Sequence, residues 1–65
     1  MSYDYIKRIY SVSPKVGERA RHTITGKSGV ITREDCSQGY YVQVRFEGMS
    51  FSQPCHPTEL EYLGR

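Results

Sequence analysis

Short runs in which apolar and polar residues alternate recur between residues 16 and 63, separated by glycine and proline. In the clearest run, 40–46, the even positions are apolar or aromatic and the odd positions hold Tyr41, Gln43 and Arg45. Alternation with a period of two is typical of a strand with one buried face, so the even positions are expected to face a core. Weaker runs of this kind predict four more strands, at 19–24, 30–33, 49–53 and 61–63.

The two ends of the chain depart from this alternation. Apolar residues at positions 5, 6, 9 and 10 match helical spacing better, which predicts a short amphipathic helix or a strand laid across the sheet. Pro14 ends that segment, because the residue before a proline is pushed away from helical geometry. Residues 56–60 resemble a single 3₁₀ turn, with Thr58 placed to cap it. The chain therefore divides into an N-terminal extension, 1–13, and an all-β domain, 14–65.

The number and order of these elements resemble the SH3-like barrel, which has five short strands and a 3₁₀ turn before the last one. Within that class, Val16-Gly17-Glu18-Arg19-Ala20-Arg21, followed by Gly29-Val30-Ile31, is similar to a KOW-type module. The resemblance implies a small five-stranded barrel with RNA, ribosomal or transcription partners, bound chiefly through loops.

Short segments near both ends also resemble small proteins of phage and prophage genomes. These segments are Tyr5-Ile6-Lys7-Arg8, His56-Pro57-Thr58 and Glu61-Tyr62-Leu63. The resemblance implies a phage or mobile-element origin and brings no activity with it.

One enzyme family has this size and barrel class, the plasmid-type dihydrofolate reductases. Their Val-Gln-Ile-Tyr segment, which lines a pore in a tetramer, is similar to Val42-Gln43-Val44-Arg45, although Arg replaces Tyr here. That resemblance implies an oligomeric enzyme that oxidises a nicotinamide cofactor. An enzyme of this kind is one alternative for the function, beside the binding functions described below.

Composition narrows the class of protein further. The chain has 65 residues, is 37% hydrophobic and lacks Trp, so its six Tyr and two Phe must supply much of the buried bulk. Tyr40 and Tyr62 are expected in or beside the core, and Tyr3, Tyr5 and Tyr10 are expected at an exposed aromatic surface together with Tyr41. A core this small favours help from a partner or from a homodimer. We expect a cytoplasmic protein, because neither a membrane span nor a signal peptide is visible.

The cysteines and histidines do not predict catalysis. Cys36 and Cys55 are expected to be free thiols in a reducing compartment. Cys55 and His56 are adjacent, so along a strand they would point to opposite faces and would not share a metal ion or form a nucleophile–base pair. His22 falls on the predicted core face, where a structural histidine is expected. The prediction is a protein without catalytic residues, metal or cofactor.

Six side chains on the predicted outward faces form the candidate binding face. They are Arg19, Arg21, Arg33, Tyr41, Gln43 and Arg45. Guanidinium groups bind carboxylates and phosphates, and aromatic faces stack on bases. The leading hypothesis is a docking face for a host or phage protein, because the net charge is only +2. The alternatives are an RNA or single-stranded DNA partner, and a solvated face neutralised by neighbouring acids.

Overall fold

The computed structural model describes residues 3–64; within this range, only the backbone of Cys36 is described. Helix α1, Asp4–Tyr10, is followed by five strands: β1 Arg19–His22, β2 Ser28–Ile31, β3 Val42–Phe46, β4 Gln53–Cys55 and β5 Leu60–Gly64. Two 3₁₀ turns, Cys36–Gln38 and Pro57–Glu59, precede β3 and β5. The predicted all-β class, with a short N-terminal extension and a 3₁₀ turn before the last of five strands, is confirmed.

The five strands form one antiparallel sheet in the order β4-β3-β2-β1-β5, so the first and last strands are neighbours. Within residues 3–64 no strand pairing joins β4 to β5, and the sheet is open. Closure into a barrel, as the resemblance implied, is therefore not shown. The edge strand β4 is only three residues long and contains Pro54, which cannot donate a backbone hydrogen bond.

All five predicted strands differ from the structure in at least one bound, and β1 and β4 differ with consequences for the core and the sheet edge. β1 stops at His22 because the backbone N–H of Gly26 donates to His22 O at 2.8 Å and turns the chain. Ile24, which strand alternation would place on the same core face as His22, is consequently 71% exposed. β4 starts at Gln53 rather than at residue 49, and Pro54 lies inside it, because an edge strand tolerates a missing donor.

The core lies between the inner face of the sheet and helix α1. Its buried members are Tyr3, Ile6, Ala20, Ile31, Val42, Val44, Phe46, Cys55 and Leu60. The predicted inward positions of β3 are therefore confirmed at 42, 44 and 46. The prediction for Tyr40 is wrong: this residue precedes β3, is 62% exposed, and contacts the ring of Tyr5 at 4.9 Å.

Tyr3 is the largest fully buried side chain, contrary to the prediction of an exposed ring. Its hydroxyl donates to Thr32 O at 2.7 Å and accepts from the backbone N–H of Gln43 at 3.0 Å. Its own backbone N–H donates to a carboxylate oxygen of Glu34 at 3.0 Å. Burial raises the pKa of the Tyr3 phenol, so the hydroxyl remains protonated and able to donate. These bonds anchor the N-terminal segment to the end of the β2–β3 hairpin.

Helix α1 depends on tertiary contacts, because seven residues form too short a helix to be stable alone. Ile6 is fully buried, and the ring of Tyr10 meets the ring of His56 edge-on at a centroid distance of 5.3 Å. Ser11 ends the helix in the left-handed conformation, and its N–H donates to Lys7 O at 3.2 Å. Of the two predicted alternatives for this segment, the helix is confirmed.

Gly29 allows β2 and β3 to approach closely. A Cβ atom at this position would overlap Arg45 O and would lie 2.7 Å from Phe46 Cα. Because both obstacles are backbone atoms, no side-chain rotation would relieve the overlap. Gly29 thereby sets the spacing between the two strands that carry much of the core and of the outer face.

Replacing Tyr3 by Phe should lower the free energy of unfolding by about 1–3 kcal/mol, because Thr32 O and the N–H of Gln43 both lose their partner. Urea unfolding followed by circular dichroism would measure this. The matched control is Tyr5→Phe on the exposed side of the helix, which should change stability by less than about 0.5 kcal/mol. Equal effects of the two changes would contradict the anchoring role of Tyr3.

Replacing Gly29 by Ala should cost about 1–3 kcal/mol, because the strands must move apart to admit the methyl group. The neighbouring change Ser28→Ala removes an oxygen without adding an atom and serves as the control. Thermal melts of both variants would compare them. A Gly29→Ala protein as stable as the wild type would show that β2 and β3 separate freely.

Candidate functional site

Strand pairing places Arg19, Val30 and Arg45 in one row across the outer face of the sheet. Arg19 on β1 is opposite Val30 on β2, and Val30 is opposite Arg45 on β3. All three side chains are exposed, Val30 to 37%. The two arginines start from strands about 10 Å apart, which is two strand spacings. We call this row the arginine row.

Arg21 lies two residues further along β1 but is already paired. Its guanidinium contacts a carboxylate oxygen of Glu61 on β5, with Nε at 3.1 Å and Nη2 at 3.0 Å. By contrast, within residues 3–64 no carboxylate lies within 4.0 Å of a guanidinium nitrogen of Arg19 or Arg45. One end of the outer face is thus neutralised internally, and the arginine row is not.

The other three predicted site residues do not join the arginine row. Arg33 follows β2 and Tyr41 precedes β3, both exposed and both beyond the Thr32–Gln43 hydrogen bond. Gln43 is only 5% exposed, so the prediction of an accessible side chain is wrong for this residue. Its Nε2 donates to Oε1 of Gln38 at 3.1 Å, because the first 3₁₀ turn covers this part of the sheet.

A small cleft of about 260 Å³ lies beside Val30. Arg19 and Arg45 line it, and the turn after β3 contributes Glu47, Gly48 and Met49. A turn at Glu47-Gly48 follows from the gap between the predicted strands 40–46 and 49–53, but the sequence does not place it beside the arginines. Only the register of β1, β2 and β3 brings these residues together.

A larger hollow of about 490 Å³ opens at one end of the core, between the β1–β2 loop and β4. Phe46 and Cys55 line it together with His22. Nδ1 of His22 accepts from the backbone N–H of Thr25 at 3.3 Å, and Nε2 lies 3.5 Å from Glu59 Oε1. His22 is therefore held between two parts of the fold, in the structural role that its position predicted.

Cys55 in this hollow is a free, buried thiol. Burial, with a smaller effect from Glu59, raises its pKa to about 11, so the thiol is protonated at neutral pH. Sγ donates weakly to Gln53 O at 3.7 Å. A protonated, buried thiol is not the activated nucleophile that cysteine catalysis requires. The other predicted free thiol, that of Cys36, lies outside the described part of the structure.

His56 has a separate role, at the start of the second 3₁₀ turn. Its Nδ1 accepts from the backbone N–H of Thr58 at 3.3 Å and lies 2.7 Å from Oγ1 of Thr58. The expected part of His56 in the turn is confirmed, although the capping group is His56 rather than Thr58. Among the described side chains, no three His, Cys, Asp or Glu residues come close enough to hold a metal ion.

Comparison of the chain with protein-family models, curated proteins and solved structures finds no match. No helix in the described part of the chain is both long and apolar enough to cross a membrane. The arginine row, the cleft beside it and the hollow that contains Cys55 are therefore the features of the described residues that bear on function.

Cys55 should react slowly with thiol reagents in the folded protein. In a Cys36→Ser variant, which leaves Cys55 as the only thiol, alkylation at pH 8 should be far slower in buffer than in urea. The rate in buffer should keep rising above pH 9, because the folded thiol ionises near its raised pKa of about 11. Equal rates in buffer and urea at pH 8 would show that the thiol is accessible and ionisable.

Proposed function

We propose that this chain is a non-catalytic binding module that docks on a host or phage protein through the arginine row. The observation that carries the proposal is an exposed aliphatic side chain, Val30, between two arginines that have no carboxylate partner within residues 3–64. Protein interfaces combine an apolar centre with a polar rim and are enriched in arginine.

A protein partner is favoured over nucleic acid by the position of the aromatic residues. Stacking on bases needs exposed rings beside the cations. The arginine row does not meet this requirement: Tyr41 precedes β3, the buried Gln43 lies between it and Arg45, and the centre of the row is aliphatic. RNA or single-stranded DNA remains the alternative, because the same arginines could contact phosphates.

The reductase alternative is not favoured by the burial pattern of β3. Val42, Gln43 and Val44 are all buried, so Arg45 is the only accessible side chain of the segment that resembles the reductase motif. A pore-lining role would need more of that segment to be accessible.

The proposal retains the SH3-like and KOW-like resemblance and a phage or mobile-element origin. Five short antiparallel strands and a 3₁₀ turn before the last strand support the resemblance. A cytoplasmic location belongs to the same proposal, because the free thiol of Cys55 stays reduced in that compartment. The proposal also includes a homodimer as an alternative oligomeric state of the module.

The proposal is tested by comparing two variants that remove charge from the same face. Arg19→Ala combined with Arg45→Ala should weaken binding to a purified partner by about tenfold or more, as expected for interface arginines. Arg21→Ala is the control. Arg21 is already paired with Glu61, so this variant should bind almost as the wild type does. Candidate partners are proteins that wild type and control retain from a bacterial lysate and the double variant does not. Unfolding midpoints would verify that all three proteins are folded.

Fluorescence anisotropy with labelled single-stranded DNA and RNA, at about 50 and 200 mM salt, distinguishes a nucleic-acid partner from a protein partner. Under the proposal, binding at the lower salt is absent or insensitive to the two arginine changes. Salt-dependent binding that is lost in the double variant would replace the protein partner by nucleic acid.

A further inference from the structure

The cleft beside Val30 is too small for most ligands. Its volume of about 260 Å³ is below the range of roughly 300–1,000 Å³ that is usual for small-molecule sites. It is of a size to receive one side chain of a docked protein. Its lining is unequal in charge: it includes two residues with a guanidinium group, Arg19 and Arg45, and one with a carboxylate, Glu47.

The charges of the cleft are not satisfied within the described residues. Neither arginine is within 4.0 Å of Glu47 or of another carboxylate there. The cleft therefore carries a net positive charge next to an aliphatic surface. A guanidinium group presents a planar fork of N–H donors that fits a carboxylate through two parallel hydrogen bonds.

We propose that this cleft binds one carboxylate side chain, Asp or Glu, that the partner protein presents next to an aliphatic residue packed on Val30. This inference rests on the proposed docking function and specifies the chemistry of the partner. The carboxylate lies between Arg19 and Arg45, and its neighbour covers the exposed part of Val30. An acidic partner is selected because the two positive groups have no acceptor in the described structure.

The same face also determines how the partner is oriented. Glu61, on the neighbouring strand β5, is already paired with Arg21. An acidic residue of the partner placed over Arg21 would therefore face the like charge of Glu61. The acidic residue of the partner therefore lies over the arginine row and not over the Arg21–Glu61 pair. Like-charge repulsion of this kind disfavours wrong orientations of the partner.

The probe is an extended peptide with a central Glu-Val-Glu, titrated into ¹⁵N-labelled full-length protein and followed by NMR. The backbone amides of Val30, Gly48 and Met49 should shift. A peptide with Gln-Val-Gln at the same positions has nearly the same size without the charge. At equal concentration, the chemical-shift changes that it causes at these amides should be at least about tenfold smaller.

Four single variants refine the test. Arg19→Gln and Arg45→Gln should each weaken binding of the Glu peptide several-fold, and Arg21→Gln should leave it unchanged. Glu47→Gln removes the one negative wall and should strengthen binding. All four positions are exposed, so the variants are expected to fold.

The outcomes separate this inference from the proposed function. Equal binding of the Glu and Gln peptides at Val30 would leave the docking face intact and overturn the carboxylate assignment. The assignment also fails if the Glu peptide shifts no amide of the cleft, or if Arg21→Gln weakens binding as much as Arg45→Gln. If an oligo-dT shifts the same amides and displaces the Glu peptide, the cleft is a phosphate site and the protein-docking proposal fails.

Discussion

The buried hydroxyl of Tyr3 completes a pair of hydrogen bonds at the end of the β2–β3 hairpin. Thr32 N–H donates directly to Gln43 O at 2.9 Å, whereas the return connection passes from Gln43 N–H to Tyr3 Oη and on to Thr32 O. The N-terminal segment is thereby built into the sheet. Helix α1 follows directly, and its Ile6 enters the core beneath the strands. Without this anchor a seven-residue helix would have little to hold it.

The outer face depends on a second close contact, between Gly29 and the backbone of β3. This contact leaves Val30, the next residue, directly opposite Arg45 and on the exposed side. The first 3₁₀ turn then covers the face at Gln43 and leaves it open at the arginine row. The arginine row is thus an accessible part of this face whose positive charge has no carboxylate within 4.0 Å among the described residues. It offers the proposed partner an aliphatic centre and two strong hydrogen-bond donors.

Much of the fold was predictable because it depends on local pattern. Period-two alternation identified β3, the spacing of apolar residues identified the helical alternative for the first segment, and the proline-containing segment near the C-terminus identified a 3₁₀ turn. The candidate site was predictable only in part. Arg19 and Arg45 do share a surface, but Gln43 has the same alternation as Arg45 and is buried. Alternation assigns a residue to a face and says nothing of what covers that face.

By itself, the sequence determined the strand-forming class, the near balance of charge and the pool of arginines available for binding. The tertiary structure alone decided that Tyr3 is the most deeply buried aromatic residue, that Arg21 is neutralised by Glu61, and that Arg19 and Arg45 flank one cleft. The physical reason is distance along the chain. Tyr3 and Gln43 are 40 residues apart, as are Arg21 and Glu61, so only the folded chain makes them neighbours: docking of the N-terminal segment for the first pair and the β1–β5 register for the second.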